Sequence, residues 1–120
     1  MLCKELYTGQ SVLIVNCEMG YELYWIKRQV PGALIWGLTM EKIGAEVAGK
    51  TFSVCVCDNL QEGMAKYYQQ QSFDRIALLG DCCKLSQSDR LVQMLRHRLT
   101  VDGLLFFGNQ NGIYRMPKED

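Results

Sequence analysis

The chain carries no excess of charge: 13 Lys and Arg balance 13 Asp and Glu. Acids and bases are interspersed, so no basic face for nucleic acid or an anionic membrane is expected. Long hydrophobic runs are also missing. Apolar stretches break within about six residues, against the roughly 20 that a membrane-spanning helix needs. The opening MLCKELYTGQ holds an acid and no long apolar stretch, so no secretory leader is expected. There is no internal repeat, low-complexity segment or linker. Histidine occurs once, as His97 among arginines, and reads as an exposed helix residue rather than a catalytic base.

What remains is ordinary globular material. A 120-residue chain is long enough to bury one core of its own, and residues 1–120 are expected to form a single domain. Apolar content of 48% and charged content of 22% exclude disorder. The six cysteines are Cys3, Cys17, Cys55, Cys57, Cys82 and Cys83. They lie in or beside apolar runs as adjacent or alternate pairs, where disulfide frameworks more often space them through loops. They read as reduced thiols in a cytoplasmic protein.

The chain is organised around Ser11–Tyr21, SVLIVNCEMGY. Val12–Val15 is an apolar, mostly β-branched run that predicts a strand buried on both faces. A short loop follows, then a helix from Tyr21 that stops before Val30–Pro31, because a residue preceding proline is pushed out of the helical region. A strand passing through a loop into a helix is the entry unit of nucleotide-binding α/β folds. Further strands are expected at Ala33–Leu38, Phe52–Cys57, Arg75–Leu79 and Leu104–Phe107. A helix capped by Thr39 would bury Met40, Ile43, Val47 and Ala48. A second, capped by Asn59, would run from Leu60 to about Gln71 with Leu60, Met64 and Tyr67 inward and Tyr68 on its shoulder. A third would run from Ser86 to about Leu99 with Leu91, Val92, Leu95 and Leu99 inward and Arg90, Arg96 and Arg98 in water. Thr100–Gly103 reads as a turn. Asn109–Gly112 reads as a hairpin turn that returns Ile113–Met116 antiparallel, with a polar tail from Pro117. Such alternation requires an α/β fold: a three-layer, doubly wound, mostly parallel sheet of order 3-2-1-4-5, with a C-terminal antiparallel hairpin strand beside the fifth.

These residues resemble the class I S-adenosylmethionine-dependent methyltransferases from Ser11 to about Phe107. Gly20 and Tyr21 fall in register with the family's glycine-rich turn, and Pro31–Leu38 with its second strand. Cys57-Asp58-Asn59 matches the third strand and the Asp that often approaches adenine. Phe73-Asp74-Arg75-Ile76 resembles the fourth-strand entry, and LTVDGLLFF the turn and fifth strand written L-K-P-G-G plus an apolar run. The resemblance implies a cofactor site from Asn16, Glu18, Gly20, Thr39, Asp58, Asn59 and Gly80, with Asp81 as the best placed residue to face a transferred methyl.

Against that pattern the site is eroded. Ile14 stands where an acid commonly closes the first strand. Asn16 and Glu18 replace two glycines of the turn, where the backbone must take positive φ and approach the ligand. Thr39 replaces the acid that accepts both ribose hydroxyls, with Glu41 as a substitute two residues on. Losing such a charge-assisted contact costs on the order of 1.5–3 kcal/mol. The chain also ends early against the family's usual length.

The expected function is therefore a non-catalytic, methyltransferase-like domain that acts as a protein-binding, regulatory or structural module, with no cofactor. Its partner, or a second copy, would meet aromatic surface (Tyr21, Tyr24, Trp25, Tyr67, Tyr68, Tyr114) or the edge of the last strand. The alternative is a small active S-adenosylmethionine-dependent methyltransferase, or a module that still binds the cofactor. A zinc or thiol-redox site of Cys17, Cys57, Cys82 and Cys83 matches no C-x-x-C spacing. A carboxylate site of Glu18, Asp58 and Asp81 does not rise above the usual acidity of wet loops.

Overall fold

The first strand, β1 (Ser11–Val15), is buried from Val12 to Val15 because its side chains alternate between two cores. Leu13 and Val15 enter one, Val12 and Ile14 the other. The computed structural model describes residues 10–15, 21–40, 53–68, 70–78, 89–109 and 112–118. In chain order these form β1, α1 (Tyr21–Gln29), β2 (Leu34–Thr39), β3 (Ser53–Val56), α2 (Leu60–Tyr67), β4 (Phe73–Leu78), α3 (Asp89–His97), β5 (Leu99–Asn109) and β6 (Gly112–Pro117).

The six strands form one sheet of order β3-β2-β1-β4-β5-β6. All neighbours are parallel except β6, which runs antiparallel to β5. This is the expected doubly wound arrangement with its closing hairpin. Leu23 and Ile26 of α1 pack on one face with Val12, Ile14, Ile35, Ala77 and Phe106. Leu60 and Met64 of α2 and Leu91, Val92 and Leu95 of α3 pack on the other, with Leu13, Leu38, Ile76 and Leu105. Helices therefore lie on both faces, making three layers. No helix among the described residues is long and apolar enough to cross a membrane.

Several boundaries shift for local reasons. β2 starts and ends one residue later than expected, because Thr39 pairs with Val56 and its carbonyl accepts from Cys57 N at 2.9 Å. Of the helix expected beyond it, only Met40 is described, and Met40 is exposed; Ile43, Val47 and Ala48 lie outside the described residues. α2 ends at Tyr67, four residues early. Tyr68 leaves helical geometry there (φ −125°, ψ 26°) and turns inward, its hydroxyl donating to Gly37 O at 2.8 Å. Tyr68 is thus the buried residue of the pair and Tyr67 the exposed one, the reverse of the expectation. Tyr68 and Trp36 both meet Phe73 edge-on, at centroid distances of 5.5 and 5.7 Å.

The expected turn at Thr100–Gly103 is instead part of β5. Phe73 pairs with Leu99 and Arg75 with Leu104, so β5 carries extra residues through a register irregularity. Gly103 fits there because a Cβ would lie 3.0 Å from Leu99 Cβ and 3.1 Å from Phe73 O. Arg96 is buried rather than solvated, its Nε donating to Pro117 O at 3.0 Å. Arg98 is half-buried. Lys118 Nζ donates to Leu99 O at 2.8 Å and His97 O at 3.3 Å, placing a cation at the carboxyl end of α3 where the helix dipole favours one. Arg90 and His97 are exposed as expected.

At the amino ends of the strands, Asp74 joins three of them. Its Oδ2 accepts from Ser11 N at 2.9 Å and Ser11 Oγ at 3.2 Å, and its Oδ1 from Thr100 Oγ1 at 3.0 Å. Asp74 N donates back to Ser11 Oγ at 3.0 Å. Removing the carboxylate leaves the first amide of β1 without an acceptor. Asp74→Ala is expected to cost about 2–3 kcal/mol, read as a lower midpoint with unchanged slope in urea unfolding.

Candidate functional site

The carboxyl ends of the parallel strands are where ligands bind in open α/β sheets. There the pairs Val15↔Leu38, Val15↔Leu78 and Thr39↔Val56 set four strand ends side by side. Of the candidate cofactor residues, Thr39, Asp58 and Asn59 fall in described structure. Asn16, Glu18, Gly20, Gly80 and the candidate catalytic Asp81 lie outside the described residues, as do Cys17, Cys82, Cys83 and Glu41.

Thr39 is the last residue of β2 and is 0% exposed. Its carbonyl also receives the Cys57 thiol at 3.7 Å. Asp58 is exposed just past β3. Asn59 has extended backbone (φ −144°, ψ 130°) and caps α2, as its residue type predicts. Its side-chain oxygen accepts from Gln61 N at 2.9 Å and Glu62 N at 3.2 Å, and its carbonyl from Gly63 N at 2.9 Å. The strand pairing thus brings Thr39 and the β3–α2 loop to one sheet end. It does so with Thr39 in the core and the Asn59 oxygen committed to the helix.

Cys57 is partly buried beside them. Burial pushes its thiol above the usual range, partly offset by the Asn59 backbone hydrogen bond; Asp58, Cys55 and Glu62 push it further up. A thiol held protonated is a poor nucleophile and a poor metal ligand. Among the described residues no three His, Cys, Asp or Glu side chains gather to hold a metal ion.

α2 presses closely on this end. A Cβ on Gly63 would lie 2.7 Å from Cys57 Sγ, 2.8 Å from Cys57 Cβ and 3.0 Å from Leu38 Cδ1. The glycine that weakens the helix by about 1 kcal/mol in propensity is what lets it approach the sheet. That role has no sequence signal of its own, since it depends on which strand residue faces the helix. The Tyr68–Gly37 hydrogen bond is equally silent in sequence. The Asp74 clamp had a partial signal, an acid opening β4 and a serine opening β1. Between β3 and α2, Val56, Cys57, Asp58, Glu62, Gly63, Lys66 and Tyr67 line an open depression of about 170 Å³.

The fold is that of the class I S-adenosylmethionine-dependent methyltransferases. No family model and no curated protein sequence matches the chain, but solved structures do. It is similar to a TehB-like S-adenosylmethionine-dependent methyltransferase from Corynebacterium glutamicum, with a TM-score of 0.72 and 18% identity, over 92% of this chain and 61% of that one. It is similar to a methyltransferase from Thiobacillus denitrificans solved with S-adenosyl-L-homocysteine, with a TM-score of 0.70 and 18% identity, over 90% of this chain and 45% of that one. It is also similar to PKMT2 from Rickettsia typhi, solved with the same ligand, with a TM-score of 0.68 and 20% identity, over 85% of this chain and 21% of that one. The chain thus spans less than two thirds of the length of each.

Gly63→Ala is expected to destabilise the protein by about 1–3 kcal/mol, although alanine is the better helix former, because its methyl overpacks the contact with Cys57 and Leu38. Thermal denaturation by circular dichroism reads the outcome; a rise in melting temperature would show that α2 stands off the sheet.

Proposed function

We propose that this chain is a non-catalytic domain of methyltransferase fold that works as a protein-binding or structural module without a cofactor. The observation that carries this reading is Thr39. By the sequence resemblance Thr39 stands where the family carries its ribose-binding acid, and here it is a neutral side chain, wholly buried. A hydroxyl in the core cannot supply the bidentate, charged acceptor that a ribose diol needs. The engaged Asn59 oxygen supports the same reading, as do Asn16 and Glu18 in place of glycine. Helix α1 offers a partner exposed aromatic area, with Tyr24 40% and Trp25 49% exposed. Of the other aromatics expected outside, Tyr67 is exposed, Tyr68 is core, and the side chains of Tyr21 and Tyr114 lie outside the described residues. Free Cys55 and Cys57 fit a reducing, cytoplasmic setting.

A second reading is a module that still holds the coenzyme, or a small active methyltransferase. It is favoured by the neighbours solved with S-adenosyl-L-homocysteine and by the exposed carboxylate of Asp58. Calorimetric titration with S-adenosylmethionine and with S-adenosyl-L-homocysteine separates the two. No saturable heat is expected up to about 1 mM ligand; a Kd of about 0.1 mM or tighter overturns the cofactor-free reading.

A further inference from the structure

The sheet has two edges, and they are protected unequally. Sheet edges invite pairing unless charges, prolines or bulges blunt them. β6 contains Arg115 and Pro117, and its end is tied down by Arg96 on Pro117 O and by Lys118 on Leu99 O. β3 reads Ser-Val-Cys-Val, with no charge, proline or bulge. Cys57 N donates to Thr39 O, so by the period of two the ladder to β2 is made by Ser53, Cys55 and Cys57. The amides and carbonyls of Val54 and Val56 then point away from the sheet. Among the described residues, no strand pairs with that side of β3.

We propose that β3 is a docking edge for a second copy of this chain, paired antiparallel about a two-fold axis perpendicular to the sheet. The self-complementarity lies in three features. First, Val54 and Val56 present alternating donors and acceptors that match their own copy across such an axis. Second, α2 follows β3 around the axis. Its Gly63 touches both Leu38 of β2 and Cys57 beyond β3, which puts the helix about midway over the two strands. With strands spaced about 4.8 Å, the two α2 helices would lie about 10 Å apart, a packing distance for helices. Third, the edge-facing side of α2 carries Glu62 in its first turn and Lys66 in its last. Antiparallel helices set each Glu62 opposite the other copy's Lys66. The exposed Tyr67 and the depression beside it, which the edge at Val56 borders, fall within the contact. The partner is thus met at β3 rather than at β6, and the proposal is independent of the cofactor reading.

Sedimentation velocity of the full chain over a concentration series tests this, with circular dichroism as the check on folding. The wild type should sediment at twice the 13.7 kDa chain mass at tens of micromolar. Val56→Pro removes an outward amide without touching the ladder to β2 and should give a folded monomer. Glu62→Lys and Lys66→Glu, which set like charges opposite, should each weaken the dimer at least about tenfold, and the double exchange Glu62→Lys with Lys66→Glu should restore it. If Val56→Pro fails to fold, the three charge variants decide alone. A wild type monomeric at about 200 µM, a dimer indifferent to the single reversals, or a double exchange that does not restore it overturns the proposal.

Discussion

Asp74 is a single carboxylate on which three strands depend. It takes the first amide and the hydroxyl of Ser11 from β1 and the hydroxyl of Thr100 from β5, while its own strand lies between them. That fixes the stagger of β1, β4 and β5 at their amino ends. Stagger matters here because β1 and β4 are buried on both faces. A slip of one residue would exchange the side chains feeding one core with those feeding the other. Phe73, one residue before the clamp, carries the aromatic contacts with Trp36 and Tyr68, so the same point also positions the layer of helices above.

The two ends of the sheet then differ in kind. The amino end is a hydrogen-bonded lock. At the carboxyl end, where this fold binds ligands, α2 packs closely on Leu38 and Cys57, with an open depression beside it. Thr39 is core, Gly63 brings α2 onto Cys57 and Leu38, and Asn59 spends its oxygen on the helix cap. Charge is little used there: Asp58 stands in solvent and Thr39 is neutral.

How much of this was legible in the sequence follows from where the forces act. Strands β1, β2 and β4 announced themselves because burial on both faces demands unbroken apolar runs, β3 by its short apolar run, and their alternation with helices left few topologies. The Asn59 cap was readable because capping is local. What misled was anything decided by tertiary fit. Tyr67 and Tyr68 are equally apolar neighbours, and only the reach of one hydroxyl to Gly37 O chose between them. Arg96 looked solvated because its acceptor, the Pro117 carbonyl, lies on a different element. Thr100–Gly103 has turn composition, yet it runs as an irregular, unregistered start to β5, with Thr100 held by Asp74. Of the candidate site, the sequence placed Thr39, Asp58 and Asn59 at one sheet end, as the strand pairing does. Whether its residues face a ligand or the core was not legible, because that depends on the depth at which β2 ends.

The proposed reading rests on the carboxyl end of this sheet completing a protein core rather than waiting for a coenzyme. Amide hydrogen exchange with and without saturating S-adenosyl-L-homocysteine tests it most directly. The account predicts strong protection of β1, β2 and β4 in the free protein and an unchanged pattern on adding the ligand. Slowed exchange confined to Thr39 and the Asp58–Asn59 loop on adding it would contradict the account.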